Sequence, residues 1–269
     1  MSRWSPENLL IALFPSRVVA ARIEGGWRPR VASKHIVDAV GNDPTATDAA
    51  AAWQPTTSAL DELLATFPTP GIPATVIVSS RFVRYCIVPW RDNVVGVSEQ
   101  TEFARHCFRN IYGETAAAWE IRVSSGGFRR NALASAVDAA MLRAVEASLA
   151  AHGIPIASIQ PNFMAACNRF RRELNGYDSG CIAVLEPGRV ALGIFDKAGW
   201  RTLGTRRIGT LKPEALVPVL AQELKSAHTD ALPEYLFVAA VSPTTHSFFR
   251  TRTKAWMSPA RTRIPESVP

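Results

Sequence analysis

No stretch of this sequence is apolar for long enough to cross a bilayer as a helix, which takes about 20 residues. The run Leu9 to Phe14 is far shorter and is stopped by Pro15 and Arg17. It also falls short of a signal-peptide core, so a buried strand is expected there. Only four cysteines occur, Cys86, Cys107, Cys167 and Cys181, and no two are spaced C-x-x-C. That argues against a zinc ribbon or a disulfide scaffold and predicts reduced, mostly buried thiols in a cytoplasmic setting. The five histidines (His35, His106, His152, His228, His246) stand apart, so no metal site is expected. Nucleophile-elbow, Walker and dinucleotide-binding glycine patterns are missing. His106 and Cys107 are adjacent and therefore diverge on a helix, which argues against a nucleophilic dyad. Asp61-Glu62 sits where the first turn of a helix favours acidic residues and needs no acid–base role.

Material for a core is plentiful. The 269 residues are 47% hydrophobic, enough for one large domain or two lobes. The formal net charge is +7. Much of the excess lies near the end, where Arg250, Arg252, Lys254, Arg261 and Arg263 face only Glu266. With Pro259, Pro265 and Pro269 in it, the segment 251–269 reads as a basic, poorly ordered tail. Contact of that tail with anionic lipid or nucleic acid is the sharper alternative. No helical segment bears a dense basic stripe, and aromatic residues are dispersed, so nucleic acid is disfavoured as a partner.

One stretch occurs twice. Leu13-Phe14-Pro15-Ser16-Arg17-Val18 runs on to Glu24 and Trp27, and Leu185-Glu186-Pro187-Gly188-Arg189-Val190 runs on to Asp196 and Trp200. Such a long spacing points to two related lobes, not a solenoid. The first copy opens a meander: Leu9–Phe14, Arg17–Glu24, a tight Gly25-Gly26 turn and Trp27–Ile36. After a loop from Val40 to Pro55, Thr57–Phe67 reads as a helix capped by Ser58, and Ala74–Ser79 as a strand. Phe82–Pro89 is a further strand, and Ser98 caps a helix to Tyr112 ended by Gly113. Trp119–Ser124 and Asn131–Val137 read as strands joined by a hairpin turn at Ser125-Gly126-Gly127. Asp138 caps a helix through His152, Gly153 closes it, Ile154–Ile159 is a strand, and Pro161 opens a helix to Leu174. Turn formers at Asn175–Gly180 mark a boundary. The second meander is Cys181–Leu185, Arg189–Asp196 and Trp200–Ile208. A helix from Pro213 to Ala227, a strand Glu234–Ala239 and a last helix Thr244–Trp256 follow.

This order resembles the actin, sugar-kinase and heat-shock-chaperone ATPase superfamily over residues 8 to 250, and most nearly the PilM-type proteins of type IV pilus assembly. The stretch Asn131–Val137, then His152-Gly153-Ile154-Pro155, Ser158-Ile159-Gln160-Pro161 and Met164-Ala165-Ala166 is similar to a PilM-type series. The resemblance implies an α/β, actin-like (ribonuclease H-like) fold of duplicated βββαβα lobes with an inserted α+β subdomain. The expected layout is a first lobe at 1–175 with the insertion at about 80–130, a second lobe at 176–250, and the tail.

In nucleotide-binding members of that superfamily each meander carries an Asp-x-Gly turn for metal and phosphate. Here the first turn has Leu13, Phe14 and Pro15, with no carboxylate and one amide donor fewer. The second has Glu186, Pro187 and Gly188, and Val241-Ser242-Pro243-Thr244 lacks the later glycine pair. No bound nucleotide, no cofactor and no catalysis are therefore expected. The resemblance implies a non-catalytic scaffold of a pilus or secretion assembly that docks a cytoplasmic tail of an inner-membrane partner. On that analogy Phe82, Val83, Tyr85, Trp90, Phe103 and Phe108 are the docking candidates, each with a competing reading as a core side chain. A divergent ATPase or phosphotransferase using Glu186 is the alternative, and a basic membrane-surface or nucleic-acid adaptor the third. Self-association stays open.

Overall fold

A computed structural model describes residues 7–27, 30–41, 52–94, 96–174, 177–209, 216–226, 233, 235–241 and 246–252. Two sets of strands repeat each other. The first is β1 (Asn8–Phe14), β2 (Arg17–Glu24) and β3 (Arg30–Asp38), and the second β9 (Gly180–Glu186), β10 (Arg189–Asp196) and β11 (Gly199–Arg207). Corresponding strands have equal lengths of seven, eight and nine residues. Both first hairpins turn through two residues, closing on the pairs Phe14–Arg17 and Glu186–Arg189. Even an irregularity recurs: register shifts between Arg22 and Ile23 in one set and between Ile194 and Phe195 in the other. The duplication expected from the Pro-x-Arg-Val stretch is a duplication of backbone geometry.

The chain divides into two compact units, Met1–Arg84 with Ala118–Glu120 and Ala136–Ala165, and Tyr85–Ala117 with Ile121–Ser135 and Ala166–Pro269. In the first, five strands run in the order β3-β2-β1-β4-β8, with β4 at Ala74–Val78 and β8 at Ile156–Pro161. β1 lies parallel to β4, and β4 to β8. An interior strand must shed water from both faces, and the apolar run Leu9–Phe14 meets most of that demand: Leu9, Ile11 and Leu13 on one face are fully buried, and Ala12 and Phe14 on the other are buried. Helix α1 (Gln54–Thr66) packs on β1, β2 and β3 and on α3 (Ala139–Ala151) through Leu60, Leu63 and Leu64. α1 starts four residues before the expected Ser58 cap, with Trp53 as its N-cap. Pro55 lies in its first turn, where a missing N–H costs nothing. Asp138 caps α3 as expected, its Oδ1 accepting from the Ala140 N–H at 2.7 Å.

Other boundaries differ from the expectation. β3 begins at Arg30, so Trp27 lies in the connection to β2 while its sequence counterpart Trp200 lies within β11. β8 ends on Pro161, and the following helix is broken at Phe170 into α4 (Asn162–Arg169) and α5 (Arg171–Leu174).

In the second unit the sheet order is β11-β10-β9-β12-β13, with β12 at Tyr235–Val241 and β13 at His246–Arg252. Every residue of β9 is buried. Cys181, Ala183 and Leu185, alternate residues of β9, share one core with Val190, Leu192 and Ile194 of β10, and with Leu216, Leu220 and Leu224 of α6 (Leu216–Ser226). The last helix expected at Thr244–Trp256 is instead strand β13, antiparallel to β12. An open edge on β12 would leave a row of backbone groups unpaired, and pairing with the next segment overrides local helix preference. The second lobe therefore departs from the βββαβα order at its last described element. The segment 251–269 beyond Arg252, the helix start at Pro213 and the 242–244 stretch lie outside the described residues.

One buried ion pair braces β11 against α6. Glu223 is 1% exposed and lies 2.6 Å from Arg206 Nη2. The contact is an ionic one off the hydrogen-bonding direction, because Glu223 Oε1 accepts no hydrogen bond of good geometry. Thr202 Oγ1 donates to Glu223 Oε2 at 3.4 Å. Gly204 makes room for the carboxylate, since a Cβ there would lie 2.7 Å from Glu223 Oε1. Arg206 reaches water, whereas the carboxylate does not. Removing the cation alone should therefore hurt most: Arg206→Ala is expected to cost about 3 kcal/mol in urea unfolding. Arg206→Ala combined with Glu223→Leu should recover a large part of that loss. A single mutant no less stable than the wild type would contradict the brace.

Candidate functional site

The candidate residues fall in two places, the two duplicated turns and the inserted segment. The first turn, Pro15-Ser16, offers only the Ser16 amide. Phe14 O accepts from Thr56 Oγ1 at 3.3 Å, and Ser16 O accepts from the Ala39 amide at 2.9 Å, which ties the turn to its own lobe. The second turn, Pro187-Gly188, offers only the Gly188 amide, and Gly188 sits at φ +72°, a conformation natural to glycine. Glu186 is 2% exposed, at the end of fully buried β9. Leu13 is buried in the first core. Among the described residues no group of three or more His, Cys, Asp or Glu is placed to hold a metal ion.

The inserted segment comprises β5 (Val83–Val88), α2 (Val97–Tyr112), a 3-10 turn (Gly113–Ala118), β6 (Trp119–Ser124) and β7 (Ala132–Asp138), with sheet order β5-β7-β6. In sequence it interrupts the first lobe, yet most of it belongs to the unit containing the second. Asn131 supplies the link. Its backbone N–H donates to Ala198 O at 2.8 Å, and its Nδ2 donates to Trp200 O at 3.1 Å. Its Oδ1 accepts from the Trp90 amide at 3.3 Å. Gly199, at φ +95°, permits this approach, because a Cβ there would lie 2.7 Å from Asn131 O. α2 is capped by Gly96 instead of the expected Ser98, and Glu99 Oε2 accepts from the Gly96 amide at 3.2 Å.

The six docking candidates do not share one surface. Val83, Tyr85 and Phe108 are buried and belong to the core. Phe82 is half-buried in the turn before β5. Trp90 and Phe103 are half-buried and line one open groove together with Val88, Arg91, Val94, Gly126, Gly127 and Arg130. Its free space is about 330 Å³ including the solvent-open mouth. Arg91 lies over the Phe103 ring at 5.9 Å, and Phe128 meets Trp90 edge-on at 5.4 Å. Reading the sequence alone missed Asn131, Arg91 and Phe128. A Phe-Arg-Arg triplet directly after a glycine pair was the available signal, since a turn tip gives an aromatic ring nothing to be buried against.

Two thiols lie behind this groove. Burial pushes Cys86 up to about 12, with the neighbouring Cys107 thiol adding to the shift. Burial also raises Cys107, against lowering by its hydrogen bond to Cys86 and by Arg91. Cys167 and Cys181 are raised by complete burial. A thiol-specific reagent should therefore modify half-exposed Cys107 first and the other three only on unfolding. The stability that Cys86 gains by staying protonated is complete below 9.0 and is lost as pH rises towards about 12. Urea midpoints should fall above pH 9, less steeply for Cys86→Ala, and an equal slope would refute the assignment.

No family profile matches this chain, and no curated protein matches it in sequence. Solved structures do match in shape. The chain is similar to the cytoplasmic domain of EpsL, an inner-membrane component of the type II secretion system of Vibrio cholerae. That match has a TM-score of 0.58 and 13% identity, covering 88% of this chain and 83% of that one. It is similar to a protein of unknown function with an actin-like ATPase fold from Bacteroides thetaiotaomicron, with a TM-score of 0.56 and 9% identity over 89% and 84% of the two chains. It is also similar to a structure of the PilM–PilN type IV pilus biogenesis complex, with a TM-score of 0.50 and 12% identity over 82% and 67%. The equal-length meanders and these likenesses lead to one conclusion: the chain has the actin-like ATPase fold.

Proposed function

We propose that this chain is a non-catalytic binding module of a bacterial secretion or pilus assembly, which docks a short cytoplasmic segment of an inner-membrane partner. The observation that carries the reading is the chemistry of the two duplicated turns. A phosphate group is held by convergent backbone amides and by a metal on a short carboxylate. Pro15 and Pro187 each remove one amide from a two-residue turn, and the first turn has no carboxylate at all. The kinds of protein that share the fold support the setting. EpsL is a secretion-system component of the inner membrane, and PilM was solved together with PilN. Fold likeness alone assigns no activity, so the turns carry the argument and the neighbours supply its context. On this reading the protein works on the cytoplasmic side and reaches the inner membrane through its partner. The inserted segment supplies the docking surface, with half-buried Trp90 and Phe103 as aromatic anchors that still reach the groove.

A second reading rests on Glu186, which keeps a carboxylate at one turn. Calorimetry with Mg-ATP separates the two. No heat of binding is expected, whereas micromolar binding lost in Glu186→Ala would favour an ATPase. Docking is tested with cytoplasmic segments of the inner-membrane proteins from the same assembly. Trp90→Ala and Phe103→Ala should weaken binding about tenfold each with an unchanged melting temperature. Phe108→Ala should instead destabilise the chain by about 3–5 kcal/mol, because it empties a fully buried site. Binding that survives both groove variants would remove the groove from the reading.

A further inference from the structure

Resting on that docking reading, we propose that the groove takes an acidic segment carrying a bulky apolar side chain. The floor is apolar and partly aromatic, formed by Val88, Trp90, Val94 and Phe103. Gly126 and Gly127 border it without side chains. Gly126 cannot gain one, because a Cβ would lie 2.2 Å from Asn131 O. That space is taken by the hairpin's own backbone, whereas nothing lies within 4 Å of a would-be Cβ at Gly127, so a partner backbone can approach the β6–β7 turn there, as peptide ligands require.

The rim carries the charge. Arg91, Arg129 and Arg130 are all exposed, and among the described residues none of them is paired with a carboxylate. Arg91 lies over the Phe103 ring at 5.9 Å and Arg129 over the Phe128 ring at 5.3 Å, so two guanidinium groups face rings, which leave their charge unneutralised. Asp92 is the acidic residue at this rim. Its Oδ1 accepts from the Trp90 indole N–H at 3.1 Å, which orients the ring. Three cations against one committed carboxylate leave the rim basic.

The tip of the turn is built to face outward. Arg129 is the one non-glycine residue with positive φ among the described residues, at +57°. Next to it Phe128 is 76% exposed. An exposed ring beside Arg129 and against Trp90, next to an apolar floor, matches a ligand that supplies an apolar side chain and carboxylates in one short segment. A nucleic-acid strand fits less well, since its phosphates would track a line of cations and its bases would find an aliphatic floor.

The test uses the full chain and three labelled probes in fluorescence anisotropy. They are a short peptide with glutamates on both sides of a Leu-Phe pair, its glutamine analogue, and a single-stranded oligonucleotide. The glutamate peptide should bind at least about tenfold more tightly than the glutamine analogue, and its affinity should fall with added salt. Arg91→Glu with Arg130→Glu should lower that affinity about tenfold or more, and Phe103→Ala should lower it at unchanged salt dependence. Both arginines are exposed, so a matching melting curve checks that the charge-reversed chain still folds. Equal binding of the two peptides, indifference to charge reversal, or preference for the oligonucleotide each overturns the proposal. If the acidic peptide fails while the cytoplasmic segment of an inner-membrane partner still binds, the acidic specificity falls alone. If that segment fails as well, the docking reading falls with it.

Discussion

One asparagine fixes where the inserted segment can be. Asn131 uses its backbone N–H and its side-chain Nδ2 to hold the β10–β11 hairpin, and its side-chain Oδ1 to accept from the Trp90 amide at the start of the loop. Each bond has a net worth of about 1 kcal/mol, but together they set geometry more than stability. The groove residues Trp90 and Arg130 flank this anchor directly, in space or in sequence. The anchor in turn depends on Gly199, whose missing side chain lets two backbones meet. Gly26, the matching glycine of the first repeat, also has positive φ yet has nothing within 4 Å of its would-be Cβ. The two copies thus share a backbone and differ in what that backbone is asked to hold.

Much of the fold was legible because its signals are local or repeated. Leu9–Phe14 reads as a strand from its apolar run, Asp138 reads as a cap, and the paired Pro-x-Arg-Val stretches mark two hairpins of equal length. β13 was not legible. Whether a segment pairs with the edge of β12 is decided by that edge, which no local pattern reports. Which docking candidates are core side chains was not legible for a different reason. Phe103 and Phe108 are five residues apart, which turns them about 140° around a helix, so one faces the core while the other reaches the rim. On β5 both faces are covered, with Tyr85 and Cys86 adjacent and each buried, so alternation cannot separate inside from outside there. The groove itself joins a loop, a helix and a turn that are far apart in sequence.

The fold and the proposed role make different demands on the same framework. Actin-like lobes supply rigid central strands, β1 and β9, with α1 and α6 packed on their sheets. Such a scaffold tolerates change at its turns and in an insertion, because neither is needed to bury β1 or β9. Prolines at both duplicated turns and an aromatic, basic groove in the insertion are therefore compatible with intact cores.

The prolines of the two duplicated turns have a consequence for how the molecule assembles itself. Proline presets φ at the first turn position, so the unfolded chain already samples fewer conformations at Pro15 and Pro187. The effect is about 0.4–1 kcal/mol at each compatible site, and it acts on the unfolded state alone. The turns need not be alike for this to hold: Gly188 adopts positive φ whereas Ser16 does not. Each lobe begins with antiparallel pairing that is local in sequence, and only later adds β4 or β12 across a long connection. Residues that cost the turns their anion donors thereby give each lobe a pre-bent nucleus from which the slower parallel pairing can proceed.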